Sequence, residues 1–97
     1  GMHDRKQIMF NLANAFLILP GGIGTLDETM EILTWRQLGS HAKPIVLVNL
    51  GGYWDPLLAM LDRAVEQGFM SAGTVGLMEV VGSVDEAMAL IGPTSAP

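Results

Sequence analysis

Five consecutive apolar residues, halted by a proline and followed by closely spaced glycines, limit the folds open to this 97-residue chain. The apolar run, Ala15–Leu19, is typical of a short strand that is buried on both faces. Pro20 ends the run, and Gly21, Gly22 and Gly24 follow before a helical pattern begins. A strand, a tight glycine loop and a helix in this order predict one β/α unit of a parallel sheet.

Two further strands are expected downstream. Pro44 precedes a second unbroken apolar run, Ile45–Asn49, which ends before a turn at Gly51-Gly52. A weaker strand is predicted at Met78–Val81, where the apolar character is less continuous. Both runs have the length of ordinary strands and not of helices.

Helices are expected between the strands because the intervening segments carry helix start and stop signals. Asp55 can cap a helix whose first position is Pro56, and Gly68 closes that helix. A capping box over Ser83–Glu86 begins a last helix, which stops at Gly92-Pro93. The predicted helices span about 4–14, 25–38, 55–67 and 83–91.

The alternation of helices and strands predicts the fold class, a three-layer Rossmann-like α/β arrangement with a parallel sheet flanked by helices. Residues 1–97 are expected to form part of a single domain. Three strands are few, since a doubly wound sheet normally has five or six. Either a partner chain completes the core or the native protein is longer, and we favour the longer protein.

Composition excludes several functional classes. Five basic against ten acidic residues give a net charge of −5, which disfavours nucleic acids and anionic membranes as partners. The chain has no cysteine, and no local spacing makes a metal site of His3 and His41. We expect no metal and no cofactor. No apolar run approaches the roughly 20 residues of a membrane span, so a cytoplasmic location is the expectation.

The glycine loop is the candidate ligand site. A strand that turns through glycines into a helix directs backbone N–H groups at an anion, and a plain turn that needs glycine is the alternative. Two common nucleotide motifs do not fit. No lysine follows the loop as a P-loop requires, and Asp27 stands where GxGxxG needs its third glycine.

Glu28 has two possible roles. Thr25-Leu26-Asp27-Glu28 fits a capping box, in which the Glu28 side chain folds back on the Thr25 amide. Alternatively, the Glu28 carboxylate faces a ligand on the glycine loop and acts as a base or stabilises positive charge. The spacing alone does not separate these roles.

Two motifs together resemble the signatures of the Lonely-Guy family. Met2–Lys6 (MHDRK) and Pro20–Glu28 (PGGIGTLDE) match the family patterns MHxRK and PGGxGTxxE at every fixed position. Leu33–Gly39 and Lys43-Pro44 also look like the family's continuation, so the likeness covers nearly the whole chain. The family's fold includes a preceding half with further strands, and the resemblance therefore implies a carboxy-terminal half here.

The resemblance implies a function. Lonely-Guy proteins hydrolyse N6-substituted adenosine 5′-monophosphates to free base and ribose 5-phosphate, which releases active cytokinin in plants and many microbes. By motif position, Arg5 and Glu28 would be the catalytic pair. The implied substrate-binding residues are Lys6, Gly21, Gly22, Ile23, Gly24, Thr25, Leu26, Asp27 and Thr34.

Many relatives carry the label lysine decarboxylase, which the sequence supports weakly. Lys6 and Lys43 are the only lysines that could form a Schiff base. No apolar pocket that would lower the pKa of an amine is evident around either of them.

The helix predicted over 25–38 is apolar on two sides. Leu26, Met30 and Leu33 form one stripe, which we expect to face the sheet. Ile32, Trp35 and Leu38 form a second stripe, which either a neighbouring helix or a second copy of the chain covers. The family resemblance favours the second copy, and hence a homodimer.

Three functional alternatives remain open from the sequence. The chain is a nucleoside 5′-monophosphate phosphoribohydrolase that uses Arg5 and Glu28, a nucleotide carrier that uses the same loop without turnover, or an inactive fragment. The presence of both Arg5 and Glu28 favours the enzyme.

Overall fold

A computed structural model describes residues 15–91 of the chain. Three strands alternate with helices in it, as the sequence predicts. The elements are β1 (Phe16–Ile18), α1 (Ile23–Gln37), β2 (Ile45–Val48), a 3-10 turn (Leu50–Gly52), α2 (Asp55–Glu66), α3 (Ala72–Val75), β3 (Met78–Val81) and α4 (Val84–Ile91). The helix expected over 4–14, with Arg5 and Lys6, lies outside the described residues.

The three strands form one parallel sheet in the order β1-β2-β3. Phe16 pairs with Ile45 and Ile45 with Met78, so the strands start level with one another. All four residues of β2 are fully buried, as expected for a central strand with both faces covered. The three predicted strands are thus confirmed to within a residue or two.

Helices cover both faces of the sheet, which confirms the predicted layered α/β class. On one face, Ile18, Ile45 and Leu47 pack with Ile32 of α1 and Leu61 of α2. On the other face, the alternate residues of β2 pack with α4 around Ala87, which is fully buried. Because the strands are parallel, the loops that follow β1, β2 and β3 meet at one edge of the sheet.

Two helix starts differ from the predictions. Helix α1 begins at Ile23, two residues earlier than expected, and Gly22 is its capping residue. Helix α2 includes Asp55, so Trp54 and not Asp55 is its capping residue. Neither change moves a strand, and Gly68 follows α2 with a φ of 82°, as expected for a helix that ends at glycine.

The capping box of α4 is confirmed with one change of partner. The Glu86 N–H donates to Ser83 Oγ at 3.1 Å, which is the expected cap. The Glu86 carboxylate accepts from the Gly82 N–H at 2.6 Å, one residue before the position that the motif predicts.

Helix α1 is apolar on two sides, as predicted, but two of the six stripe residues, Ile32 and Met30, lie on the opposite side from the one predicted. Ile32 was expected to face outward and is 2% exposed, whereas Met30 was expected to face the sheet and is 36% exposed. The open face instead carries Ile23, Met30 and Leu38, with Trp35 half-exposed beside it. The error arises because residues at 100° spacing overlap two faces of a helix that is apolar nearly all round.

Within residues 15–91, no helix is both long enough and apolar enough to cross a membrane.

Candidate phosphate-binding site

The glycine loop lies at the carboxyl edge of the sheet, between β1 and α1. The Leu26 N–H donates to the Gly22 carbonyl oxygen at 3.0 Å, which is the first hydrogen bond of α1. Gly22 is therefore the capping residue, and within residues 15–91 no side chain caps this end of the helix. The first turn contains no acidic residue either. The backbone N–H groups at the positive end of α1 therefore carry no side-chain cap and suit an anionic ligand.

The packing around the two adjacent glycines of the loop is different. A Cβ at Gly21 would lie 2.1 Å from Thr25 Oγ1 and 2.8 Å from Thr25 Cβ, so packing requires glycine there. A Cβ at Gly22 would meet no atom of residues 15–91 within 4 Å. The φ of Gly22 is −112°, which lies outside the left-handed region that favours glycine. Packing explains Gly21, whereas packing among the described residues does not explain glycine at position 22.

The capping-box interpretation of Glu28 is wrong. Thr25 is the third residue of α1 and its carbonyl accepts the Thr29 hydroxyl at 2.7 Å, so Thr25 cannot be the capping residue. Glu28 is half-buried and lies roughly 8 Å along the axis from the start of α1. The ligand-facing role of Glu28 stays a prediction.

The other predicted site residues on α1 differ in their exposure and in their distance from the glycine loop. Ile23 and Asp27 are exposed, whereas Leu26 is half-buried and packs against the core. Thr34 is exposed, and its hydroxyl donates to the Met30 carbonyl oxygen at 2.7 Å. Thr34 lies roughly 16 Å along the axis from Ile23, so one chain does not bring it to the loop. Arg5 and Lys6 fall outside residues 15–91.

A second loop, for which the sequence predicts only a turn at Gly51-Gly52, lies beside the glycine loop. It follows β2 and contains the 3-10 turn. The Tyr53 hydroxyl donates to the Gly21 carbonyl oxygen at 2.5 Å. The signal that could have found this contact is the parallel sheet itself, since loops after neighbouring parallel strands meet at one edge.

A cleft of about 560 Å³ opens between the two loops. Its walls include Gly21, Gly22, Ile23 and Leu26 on one side and Tyr53 and Trp54 on the other. The lining is mainly apolar.

Glu28 does not line this cleft. Residues 26 and 28 are separated by about 200° around a helix, so the cleft beside Leu26 and the Glu28 carboxylate lie on opposite sides of α1.

Lys43 does not have the surroundings of a Schiff-base lysine. It is exposed and lies before β2, at the edge of the sheet opposite to the glycine loop. Its Nζ atom lies 5.6 Å from the centre of the Phe16 ring, and its carbonyl oxygen accepts from Arg36 at 2.6 Å. The position of Lys43 gives no support to amino-acid decarboxylation.

Residues 15–91 contain no group of three or more His, Asp or Glu side chains that could bind a metal ion.

A parallel sheet with a glycine loop at its carboxyl edge, leading into a helix, is an α/β arrangement with which many proteins bind phosphates and nucleotides. Comparison with known families gives the particular group. Residues 1–91 match the family described as possible lysine decarboxylase, and the chain belongs to this family.

The chain is also similar to named plant enzymes, which confirms the resemblance to the Lonely-Guy family. It is 52% identical over 71 residues to cytokinin riboside 5′-monophosphate phosphoribohydrolase LOG of Oryza sativa subsp. japonica, which covers 73% of this chain and 29% of that protein. It is 53% identical to cytokinin riboside 5′-monophosphate phosphoribohydrolase LOG7 of Arabidopsis thaliana over 70 residues. The aligned residues make up 72% of this chain and 32% of that protein. The chain spans about a third of the length of these curated relatives.

Proposed function

We propose that this chain carries the phosphate loop and the catalytic carboxylate of a nucleoside 5′-monophosphate phosphoribohydrolase. In the reaction, water attacks C1′ of adenosine 5′-monophosphate or an N6-substituted form of it. The bond from C1′ to N9 breaks, the base leaves with a proton, and ribose 5-phosphate remains. The similar plant proteins are named for this reaction on cytokinin riboside 5′-monophosphates, which supports the same substrate class here.

The observation that carries the proposal is the glycine at position 22. Among residues 15–91, no atom lies near its Cβ position at the positive end of α1, and packing of these residues does not require glycine there. A close approach of a ligand to the backbone is a physical reason for the missing side chain. A phosphate fits this position because its oxygens accept the N–H groups of the first helical turn.

Glu28 supplies the charge that the chemistry needs. Cleavage of an N-glycosidic bond builds positive charge on the ribose, and a nearby carboxylate stabilises that charge and orients water. The half-buried position of Glu28 near the start of α1 supports this role, because the side chain is partly withdrawn from solvent. We assign Arg5 to the grip on the substrate, since a guanidinium binds phosphate in a bidentate manner.

A second candidate function is a nucleotide carrier. The cleft between the two loops lies on the side of α1 away from Glu28, so a ligand that filled it would be held apart from that carboxylate. The same glycine loop would then bind the phosphate without turnover.

We also propose a homodimer through the exposed face of α1. Trp35 and Leu38 are 47% and 70% exposed, which is unusual for two large apolar side chains on one helix. Trp35 follows Glu28 by seven residues and therefore lies on the same side of α1. An interface at Trp35 would place the partner copy close to Glu28.

The cytoplasmic location stays a prediction.

The function is tested by mixing the protein with adenosine 5′-monophosphate and measuring both products. Release of adenine and ribose 5-phosphate in equal amounts, with adenosine left uncleaved, supports the phosphoribohydrolase. Saturable binding of the nucleotide without any release supports the carrier. If the protein neither binds nor cleaves the nucleotide, the chain is an inactive fragment and the proposal is wrong.

A further inference from the structure

The loop after β2 is held in one conformation by its own hydrogen bonds. Asn49 Oδ1 accepts from the Trp54 N–H at 2.6 Å, and Asn49 Nδ2 donates to Asp55 Oδ1 at 2.9 Å. The Asn49 N–H itself donates to the Val81 carbonyl oxygen at 2.8 Å, which ties the loop to the sheet. The loop therefore holds Tyr53, which directly precedes Trp54, on a fixed backbone.

The Tyr53 ring is braced against a buried neighbour. Its ring packs edge-on against Trp54, with the centroids 4.9 Å apart and the planes at 82°. Trp54 is 3% exposed and belongs to the core, whereas Tyr53 is half-exposed. The phenol is thus held at the surface with its hydroxyl directed at the glycine loop.

The hydrogen bond from Tyr53 to Gly21 joins positions 32 residues apart. The Gly21 carbonyl and the Gly22 N–H belong to the same planar peptide, and in a trans peptide they point in opposite directions. The peptide bonds of residues 15–91 include no cis bond. Since the Gly21 carbonyl faces Tyr53, the Gly22 N–H faces away from Tyr53, and the phenol also polarises that N–H as a donor.

We propose that Tyr53 is a positioning residue, which fixes the Gly21–Gly22 peptide so that the Gly22 N–H is aimed at the substrate phosphate. This inference rests on the proposed function, since it assumes that the glycine loop binds phosphate. Tyr53 acts through the backbone of the loop and has no part in bond cleavage. Its contribution is specific to ligands that carry a phosphate.

The test is the Tyr53→Phe variant, which removes the hydroxyl and keeps the ring against Trp54. Dissociation constants are measured by calorimetry for adenosine 5′-monophosphate, ribose 5-phosphate and adenosine. We expect Tyr53→Phe to weaken binding of both phosphate ligands roughly three- to tenfold, as for the loss of one hydrogen bond, and to leave adenosine unchanged. With the nucleotide as substrate, KM rises and kcat stays the same.

Leu50→Ala is the matched control. Leu50 lies in the same loop and is 42% exposed, and its backbone carbonyl, not its side chain, accepts the Tyr53 N–H. This variant should bind all three ligands as the wild type does. Amide spectra of the free proteins give a second readout, in which Tyr53→Phe shifts the Gly22 amide resonance and Leu50→Ala does not.

The outcomes separate the inference from the proposed function. If the wild type binds the phosphate ligands and Tyr53→Phe binds them equally well, the positioning role is overturned and the proposed function stands. If Tyr53→Phe weakens adenosine as much as the phosphate ligands, Tyr53 has a general structural role and the inference is wrong. If the wild type binds neither phosphate ligand, the proposed function itself fails, and the inference fails with it.

Discussion

Alanine substitutions at the two adjacent glycines should affect different properties: Gly21→Ala should lower stability, whereas Gly22→Ala should weaken nucleotide binding. In Gly21→Ala the new Cβ lies 2.1 Å from Thr25 Oγ1 and 2.8 Å from Thr25 Cβ. Rotation of the Thr25 side chain relieves the contact with Oγ1 but not the contact with Cβ, which is fixed to the helix. The first turn of α1 must therefore move. Overpacking of this kind costs about 2 kcal/mol, or on the order of 10 °C in Tm for a domain of this size.

Gly22→Ala should leave stability unchanged and lose binding. Its Cβ would meet no atom of residues 15–91 within 4 Å, so we expect the free energy of unfolding to stay within about 0.5 kcal/mol of the wild type. The methyl group would occupy the space in which we place the phosphate. The affinity for adenosine 5′-monophosphate should fall by roughly tenfold or more, as for the loss of one or two charge-assisted hydrogen bonds.

Urea unfolding followed by circular dichroism measures the first effect for both variants, and calorimetry measures the second. The reasoning is refuted if Gly22→Ala is destabilised as much as Gly21→Ala. It is equally refuted if Gly22→Ala binds the nucleotide with wild-type affinity, because position 22 would then not face a ligand.

Two further predictions concern the cap of α4 and the exposed face of α1. Ser83→Ala removes the acceptor of the Glu86 N–H and should cost about 1 kcal/mol in urea unfolding, whereas Ser83→Asp should keep most of the stability; equal stability of Ser83→Ala and the wild type would contradict the cap. Replacing Trp35 and Leu38 by serine should convert the proposed dimer to a monomer in sedimentation velocity runs, whereas Met60→Ser, at a 60% exposed position of α2, should not. A wild type that is monomeric at micromolar concentration would contradict the dimer.

Local patterns were sufficient to predict the strands. β2 is a run of four apolar residues between Pro44 and Asn49, and such a run has no amphipathic alternative to burial in a sheet. The capping box at Ser83 was equally predictable, because both of its partners lie within four residues. These features depend on neighbours in the sequence, and a single sequence contains that information.

Features set by tertiary packing were not predictable in the same way. The start of α1 at Ile23 has no capping side chain to mark it, so the nearest capping motif was chosen instead, at Thr25. Which apolar residues of α1 face the core depends on where the sheet lies, and the periodicity left Ile32 and Met30 on the wrong sides. The hydrogen bond from Tyr53 to Gly21 requires two loops to meet across the sheet edge, which no local pattern shows.

The measurement that tests the account most directly is the rate of adenine release from adenosine 5′-monophosphate, compared between the Glu28→Gln variant and the Glu31→Gln variant. Both variants remove one negative charge from α1, and Glu31 is an exposed residue about one turn further along the helix. The account predicts that Glu28→Gln lowers kcat on the order of a hundredfold or more, with nucleotide affinity nearly unchanged, and that Glu31→Gln behaves as the wild type. Full turnover by Glu28→Gln would contradict the assignment of Glu28 as the catalytic carboxylate.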